Sequence, residues 1–365
     1  MNAETPQKMR PDAERDAIGW RRSLAEQITD QERAEGWLPA RVCRVQSRRC
    51  KVWVTTRDDA DAAGSGPNPG PPGEQSLAVA LFGEAGLPAV GDWVLVDPAA
   101  TGRPRRLERF SVLTRRAPGS RVADQVLAAN VDTLLVVTAC NEEFSVGRVE
   151  RYLALAAGAG DTTGPIRAVV VLTKADLADD ADRYAGEARA LGEGMVGELR
   201  VEVMDARDPA QVSRLTDVCG PGQTVAALGS SGVGKSTLIN AISDAEQKTG
   251  AVRGDDNKGK HTTTSRSLHR LRAGGVIVDL PGIRELQLAE DVGGLDVAFA
   301  EAAALAEHCR FRNCNHAGEP GCAVAAALAD GTLDARRWEN YRKLLAEQAA
   351  YEKLKSRRKG GRRRG

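Results

Sequence analysis

The segment Gly229–Ser236 reads Gly-Ser-Ser-Gly-Val-Gly-Lys-Ser and fits the phosphate-binding loop pattern G-x-x-x-x-G-K-[ST]. Its glycines allow backbone N–H groups to turn inward around a β-phosphate, while Lys235 supplies positive charge to the β- and γ-phosphates and the Ser236 hydroxyl can ligate Mg²⁺. An apolar strand precedes the loop and a helix follows it, so a chance glycine-rich turn is the weaker explanation. The residues predicted to bind the phosphates are Gly229, Ser230, Ser231, Gly232, Val233, Gly234, Lys235, Ser236 and Thr237.

A second metal-binding position is predicted downstream, where Asp279 ends an apolar strand and begins Asp-Leu-Pro-Gly. A carboxylate there can hold Mg²⁺ through water, and the Gly282 amide can approach the γ-phosphate. The pattern D-x-x-G is weak alone but becomes specific 44 residues after a phosphate-loop lysine. The intervening loop 259–264 is expected to offer a threonine to the Mg²⁺ shell, and the sequence does not distinguish Thr262, Thr263 and Thr264.

Base recognition is predicted upstream, at Thr173, Lys174, Ala175 and Asp176, which resemble the N-K-x-D motif of GTPases. The carboxylate of Asp176 can accept from guanine N1–H and the exocyclic 2-amino group, a pattern that adenine lacks, so GTP is favoured over ATP. The Lys174 stem is expected to cover the ring. Thr173 stands where the motif has Asn, and its hydroxyl offers fewer hydrogen bonds. The pair Asp205-Ala206 is a weak match to a further base-contacting loop.

The order of these motifs is unusual, because Asp176 lies 53 residues before Gly229. In ordinary GTPases the guanine motif follows the phosphate loop. The same nucleotide site can form here only in a circularly permuted domain. Permutation is physically feasible because the termini of compact domains often lie close together.

Four soft metal ligands follow the spacing C-x4-C-x-H-x5-C at Cys309, Cys314, His316 and Cys322. Three thiolates and one imidazole complete a tetrahedral Zn²⁺ shell, which predicts one structural zinc ion per chain. The neighbouring His308 is a less favourably spaced alternative ligand, and three buried free cysteines are the structural alternative. Unpaired thiols are expected at Cys43, Cys50, Cys140 and Cys219.

The surrounding pattern predicts three ordered domains with an extension at each end. Residues 36–117 alternate with period two and indicate a small β-barrel, interrupted by a Pro/Gly-rich loop at 58–75. Residues 118–290 alternate strand and helix, which is typical of an α/β domain, and residues 291–351 are Ala-rich and helical. A charged extension (1–35, helix or disordered arm) and a disordered basic tail (352–365) flank them. The predicted α/β strands are 131–138, 168–172, 224–228 and 275–279, with a helix at 149–157 and a C-terminal helix at 334–355.

Charge is distributed unevenly along the chain. The whole sequence has 51 basic and 50 acidic residues, a net charge of +1, which taken alone argues against a nucleic-acid partner. Residues 352–365 carry a net +7, and six arginines lie between Arg103 and Arg116. That arginine cluster is either a solvated face or a contact for RNA phosphates. The seven cysteines and the charged first 35 residues, without a secretory or membrane-spanning apolar segment, indicate a cytoplasmic protein.

The barrel, the permuted motifs and the Cys/His spacing together closely resemble the bacterial ribosome small-subunit-dependent GTPase A family. The resemblance covers residues 36–350 approximately. It implies an N-terminal all-β OB-fold barrel, a central circularly permuted α/β P-loop GTPase domain and a C-terminal α-helical zinc-binding domain. Further matching segments are Val90–Val94, Ala129–Asp132, Arg148–Tyr152, Asp279–Glu285 and Glu319–Ala323.

The resemblance also implies a role in late maturation of the 30S subunit, whose 16S rRNA and ribosomal proteins stimulate GTP hydrolysis. By the same match, His261 falls on a switch-loop histidine that positions the hydrolytic water. This agrees with Ile283, which follows Gly282 where Ras-like enzymes have a water-orienting Gln.

The function predicted from these residues is Mg²⁺-dependent GTP hydrolysis by a monomer, with Lys235 and His261 as the catalytic residues. Intrinsic turnover is expected to be slow because no arginine finger is evident. One alternative is a P-loop ATPase or small-molecule kinase, which equal hydrolysis of ATP and GTP would favour. The other is a zinc-containing RNA chaperone whose nucleotide is structural.

Overall fold

The computed structural model describes eleven parts of the chain, and all structural statements below refer to them. These parts are residues 15–46, 49–54, 74–78, 82, 87–97, 103–117, 123–160, 164–192, 199–243, 266–280 and 294–361. The strands are β1 (Leu38–Val45), β2 (Arg49–Val54), β3 (Glu74–Ala78), β4 (Trp93–Val96), β5 (Arg105–Arg106), β6 (Val112–Arg116), β7 (Asp124–Ala129), β8 (Thr133–Ala139), β9 (Arg167–Thr173), β10 (Arg200–Val203), β11 (Thr224–Gly229), β12 (Ser267–Arg270) and β13 (Val276–Asp279).

Eight of the α-helices in the described parts have eight residues or fewer, and a 3-10 turn at Ala175–Leu177 follows β9. The helices are α1 (Arg22–Ala25), α2 (Asp30–Ala34), α3 (Val146–Ala157), α4 (Ala181–Ala190), α5 (Pro209–Val212), α6 (Thr216–Cys219), α7 (Lys235–Ile242), α8 (Gly294–Ala298), α9 (Ala300–Glu307), α10 (Ala323–Asp330) and α11 (Ala335–Gly361). None of the helices in the described parts is both long and apolar enough to cross a membrane.

One sheet runs through the described residues in the order β10-β9-β8-β11-β13-β12-β1-β2-β3, and β4 and β5 branch from β1. The strands β8, β9, β10, β11 and β13 are parallel, whereas β12 is antiparallel to β13. Leu134 and Val136 of β8 pack in one core, and Leu135 and Val137 pack in a second core. Burial on both faces explains the nearly continuous apolar runs, so the four predicted α/β strands are confirmed.

Two strands of this half, β10 and β12, were not predicted because each has only four residues and no continuous apolar run. β10 lies at the end of the sheet, where its side chains are only half-buried. β12 has one apolar residue, Leu268, among three polar ones and pairs with both β13 and β1. Its single pairing with β1, between Ser267 and Arg44, joins the two halves of the sheet.

The N-terminal half is an antiparallel sheet of β1 to β5 with a small core of its own, which includes Val42, Val52 and Val94. Within the period-two segment 36–117, strands are therefore found around Val52 and Leu95. Residues 55–73, which contain most of the Pro/Gly-rich loop, lie outside the described parts, but Glu74 and Gln75 of that predicted loop belong to β3.

Residues 15–34 of the charged extension are ordered and dock on both halves of the sheet. Ile18, Trp20 and Leu24 are buried in the main core, and burying such side chains contributes about 1.5–3 kcal/mol each. The fully buried Arg41 of β1 donates to the carbonyl oxygen of Ile18 and to Thr224 Oγ1 at 2.9 Å. Burial lowers the pKa of Arg41 to about 9. The sequence predicted either a helix or a disordered arm for this segment. Its described part contains the two short helices α1 and α2.

The C-terminal helices form a separate small core that includes Phe299, Trp338 and Tyr341. Helix α11 extends to Gly361. The prediction of a disordered tail from residue 352 is therefore wrong for residues 352–361. The reason is tertiary contact. Tyr351 is buried, its hydroxyl donates to Asp124 at 3.0 Å, and the pair β6–β7 thereby supports the helix.

Candidate active site

The phosphate-binding loop connects the central strand β11 to helix α7. Gly232 and Gly234 have φ values of +85° and +86°, in the left-handed region that favours glycine. A Cβ on Gly234 would come within 3.1 Å of Thr173 Oγ1, so glycine also allows close packing there. Strand β8 flanks β11 on one side and β13 on the other, which brings the predicted base motif and Asp279 toward the same carboxyl edge of the sheet.

Lys235 and Asp279 form a buried ion pair in which Lys235 Nζ donates to Asp279 Oδ1. The register of β11 and β13 places Ala227 beside Asp279, directly below the loop. Their side chains are 9% and 5% exposed, so each charge depends on the other for compensation. The half-buried Ser236 follows Lys235 at the start of α7. A hydroxyl and a carboxylate are hard oxygen donors, and this donor set fits Mg²⁺.

The base motif is built on the end of β9 and the turn after it. Lys174 adopts a left-handed conformation at φ +56°, and Asp176 lies in the 3-10 turn. The Thr173 side chain is fully buried, and its hydroxyl donates to the carbonyl oxygen of Val233 in the phosphate loop. The carbonyl oxygen of Thr138, at 3.1 Å from Thr173 Oγ1, is the alternative acceptor for this single hydroxyl proton. The structure therefore brings the predicted guanine motif into direct contact with the phosphate loop.

Arg207, which sequence reasoning missed, lies beside the base motif. Its Nη2 donates to Asp176 Oδ2 at 2.5 Å and to Asp205 Oδ2 at 3.0 Å, and its Nε donates to Asp205 Oδ1 at 3.0 Å. The Ala175 N–H donates to the Met204 carbonyl at 3.4 Å, which holds the two loops side by side. The predicted Asp205-Ala206 loop is thus adjacent to Asp176. The only signal in the sequence was an arginine next to a weak motif.

A contact between Arg148 and the phosphate loop also escaped the sequence reading. Arg148 is in the first turn of α3, and its Nη1 donates to Ser230 Oγ at 2.8 Å and to the Glu143 carbonyl at 3.1 Å. The side chain is 35% exposed. The predicted residues His261, Thr262, Thr263, Thr264, Gly282 and Ile283 lie outside the described parts of the chain.

The four predicted zinc ligands converge, and their ligand atoms all lie within 4.8 Å of one another. Sγ of Cys309 is 3.5 Å from His316 Nδ1 and 3.9 Å from Sγ of Cys322. Three sulfur atoms and one ring nitrogen at this separation fit a tetrahedral Zn²⁺ shell. His308 is not in the cluster, because its Nδ1 hydrogen-bonds to the Ala304 carbonyl at 2.7 Å.

The loop that carries these ligands is held by Glu319. Its carboxylate accepts from the N–H groups of Asn315 at 2.9 Å and Ala317 at 2.8 Å. Backbone hydrogen bonds from Glu319 itself, Asn315 and Ala317 lower the pKa of Glu319 to about 2. His316 has φ +59° and packs edge-on against Trp338, at 5.2 Å between ring centres. The cluster is therefore anchored to α11.

The other four cysteines are free and buried, as predicted for unpaired thiols. Burial raises the pKa of each thiol, to about 12 for Cys43 and Cys219 and to about 11 for Cys50 and Cys140. Thiols in this state are poor nucleophiles and poor metal ligands. They have a packing role.

The arginine cluster between Arg103 and Arg116 is mostly engaged within the protein. Arg105 pairs with Glu32 at 2.6 Å, and Arg109 forms two hydrogen bonds to the fully buried Asp92 at 2.6 and 2.7 Å. The Arg116 guanidinium lies 4.8 Å from the Tyr351 ring centre. These contacts attach β5 to the N-terminal segment, Arg109 to the residue before β4, and β6 to α11. For these three residues, contacts within the protein replace the simple solvated face that the sequence also allowed.

The sheet order and the site define the class of protein. The phosphate loop follows the central parallel strand β11, and the base motif follows β9, which is earlier in the chain but lies two strands away in the same sheet. This arrangement is a circularly permuted P-loop GTPase. The family model described as RsgA GTPase matches residues 106–289, and the chain belongs to this family of GTPases in ribosome biogenesis.

Curated relatives carry consistent names. The chain is 50% identical over 279 residues to "Small ribosomal subunit biogenesis GTPase RsgA" of Mesorhizobium japonicum, covering 75% of this chain and 78% of that protein. It is 42% identical over 330 residues to the protein of the same name from Opitutus terrae, covering 87% and 85% of the two chains. The predicted GTP hydrolase activity and family are thereby confirmed.

Two solved structures are similar in fold. The crystal structure of YjeQ from Thermotoga maritima matches with a TM-score of 0.57 and 25% identity, over 86% of this chain and 99% of that chain. YloQ, described as a circularly permuted GTPase, matches with a TM-score of 0.53 and 22% identity, over 86% and 96%. Permutation predicted from motif order is therefore confirmed at the level of the fold.

Proposed function

We propose that this chain binds the small (30S) ribosomal subunit in the cytoplasm and assists its late maturation, with GTP hydrolysis stimulated by the subunit. The observation that carries this proposal is the convergence of a phosphate loop, a base motif and the Lys235–Asp279 pair at one sheet edge. The names of the relatives, which refer to small-subunit biogenesis, support the choice of partner.

The proposed reaction is in-line attack of water on the γ-phosphate. Lys235 and the loop amides bind and stabilise the charge on the phosphates, and Asp176 selects guanine. Bound Mg²⁺, held by Ser236 and Asp279, would neutralise the charge of the β- and γ-oxygens. When the phosphates bind, Lys235 exchanges its ion pair with Asp279 for the phosphate oxygens. His261 is the proposed water-positioning residue.

The proposed domain arrangement is an OB-fold at 36–117, the GTPase domain at 118–290 and the zinc domain at 291–351. The antiparallel sheet β1 to β5 supports the first assignment, and the Cys/His cluster supports one structural Zn²⁺. We propose that 16S rRNA and ribosomal proteins contact these flanking domains in the monomeric protein. Their contacts would then reorganise the switch loops of the GTPase domain.

The test is the rate of GTP hydrolysis with and without purified 30S subunits. We expect stimulation by 30S and none by 50S subunits, and hydrolysis of GTP in preference to ATP. Equal hydrolysis of ATP would support an ATPase or kinase. Normal subunit maturation in cells that contain only the Lys235→Ala protein would support a zinc-containing RNA chaperone and defeat the proposal.

A further inference from the structure

Two carboxylates from neighbouring loops meet at one guanidinium beside the base motif. Asp176 Oδ2 and Asp205 Oδ2 both accept from the same nitrogen, Nη2 of Arg207, at 2.5 and 3.0 Å. The two acidic side chains are 27% and 21% exposed, so solvent screens their charges only in part. The Arg207 side chain itself is 64% exposed.

Asp205 is fixed in this position by several other bonds. Its Oδ1 accepts from the N–H and the Nε of Arg207, at 2.9 and 3.0 Å, and its own N–H donates to Gln211 Oε1 at 3.0 Å. The Arg207 guanidinium lowers the pKa of Asp205, which therefore stays ionised at neutral pH. A permanent negative charge thus stands next to the carboxylate that is expected to read guanine.

Without a cation between them, the two carboxylates would repel each other. Repulsion would turn the Asp176 carboxylate away from Asp205, and its two oxygens would no longer be held in place to accept from a base. With Arg207 in place, the charge of Asp205 is neutralised and Asp176 Oδ2 is held. Among the described residues, Oδ1 of Asp176 has no hydrogen-bond partner, so its acceptor capacity is left for a bound base.

We propose that Arg207 is a positioning residue for guanine recognition, which neutralises Asp205 and holds the Asp176 carboxylate ready to accept from both N1–H and the 2-amino group of a guanine nucleotide. This inference rests on the proposed role of Asp176. Hydrogen bonds to an ionised group are among the stronger ones in proteins, so their loss is measurable as nucleotide discrimination.

The ratio of the dissociation constants for IDP and GDP measures this contact, because inosine lacks only the 2-amino group. For Arg207→Ala we expect GDP binding to weaken about tenfold and IDP binding about twofold, so the IDP/GDP ratio falls about fivefold. Exposed ion pairs contribute little to folding, and the thermal unfolding midpoint should not change. Equal weakening of both nucleotides, or tighter GDP binding, would overturn the proposal.

A second variant tests the charge argument. In Arg207→Ala with Asp205→Asn, the repelling charge is also removed, and the IDP/GDP ratio should return to within about twofold of the wild-type value. Asp205→Asn alone should keep the wild-type ratio, because Arg207 still holds Asp176. Failure of the double variant to recover would overturn the proposal, since Arg207 would then not act by neutralising Asp205.

The role of Asp176 is measured separately. Asp176→Asn should exchange the preference from GDP to XDP, because an amide can donate to the 2-oxo group of xanthine. If that exchange fails while Arg207→Ala still lowers the IDP/GDP ratio, the assignment of Asp176 is wrong and Arg207 acts on guanine by another route. If the exchange occurs but Arg207→Ala leaves the ratio unchanged, only the role of Arg207 is refuted.

Discussion

Replacing Thr173 by Val tests whether the base motif holds the phosphate loop in its binding conformation. The substitution preserves the branched shape and removes the hydroxyl that donates to the Val233 carbonyl. Thr173 is fully buried, so water cannot take the place of this donor. An unpaired buried acceptor costs about 1–3 kcal/mol.

Part of this cost can be avoided if the loop relaxes, and a relaxed loop binds phosphates less well. If about 1–2 kcal/mol of this cost appears as a loss of binding free energy, the dissociation constant for GDP should rise about 5- to 30-fold. The change is read with a fluorescent GDP analogue and checked by competition with unlabelled GDP. Because Thr173 and Val233 are 60 residues apart in sequence, the effect reports a tertiary contact.

Thr173→Ser is the matched control, since it keeps the hydroxyl and loses one methyl group. It should lower the free energy of unfolding by about 1 kcal/mol while GDP affinity stays within about twofold of the wild type. Wild-type GDP affinity in Thr173→Val would refute the reasoning. So would an equal loss of affinity in both variants, because packing rather than the hydrogen bond would then be responsible.

Three further predictions follow from the described contacts. Lys235→Ala should abolish measurable GTP hydrolysis in a phosphate-release assay, because the proposed role of Lys235 is to stabilise the charge on the phosphates. Glu150→Ala should lower the free energy of unfolding by about 3 kcal/mol in urea titrations, because Glu150 is 2% exposed and pairs with arginines of α11. Glu347→Ala is the control: the Glu347 side chain is 39% exposed, and its loss should cost under about 1 kcal/mol. Cys314→Ser should reduce the zinc content from one ion per chain to nearly none by metal analysis, and retained zinc would contradict the ligand assignment.

The local parts of the site could be predicted from the sequence because each is encoded in a short segment. The phosphate loop, the base motif and the Cys/His cluster each occupy at most 14 residues, and their spacing alone selects a chemistry. The buried strands could be predicted because a parallel sheet covered on both faces requires continuous apolar runs. The order of the motifs then predicted the circular permutation, because the base motif precedes the phosphate loop in the chain and both must reach one nucleotide site.

Pairing between distant charged side chains could not be predicted in the same way. Arg207 and Asp176 are 31 residues apart, and Arg336 and Glu150 are 186 apart. The chain has 51 basic and 50 acidic residues, so composition allows very many pairings and the fold selects a few. The arginine cluster between Arg103 and Arg116 illustrates this point. From the sequence, its guanidinium groups could bind RNA phosphates or carboxylates of the protein, and the structure pairs Arg109 with the buried Asp92.

Helix α3 provides a physical connection between the phosphate loop and the C-terminal helices that surround the Cys/His cluster. Arg148 at its start contacts the phosphate loop, and Glu150 is bonded to Arg336 and Asn340 of α11, at 3.2 and 2.5 Å. Arg148 and Glu150 lie in the same turn of α3, so this turn contacts both the phosphate loop and α11. A helix moves as a rigid body and does not stretch. A contact that shifts α11 must therefore alter Arg148 or break buried bonds at Glu150. Because coupling free energies are reciprocal, any change in nucleotide affinity caused by binding at the C-terminal helices is matched by an equal effect of the nucleotide on that binding.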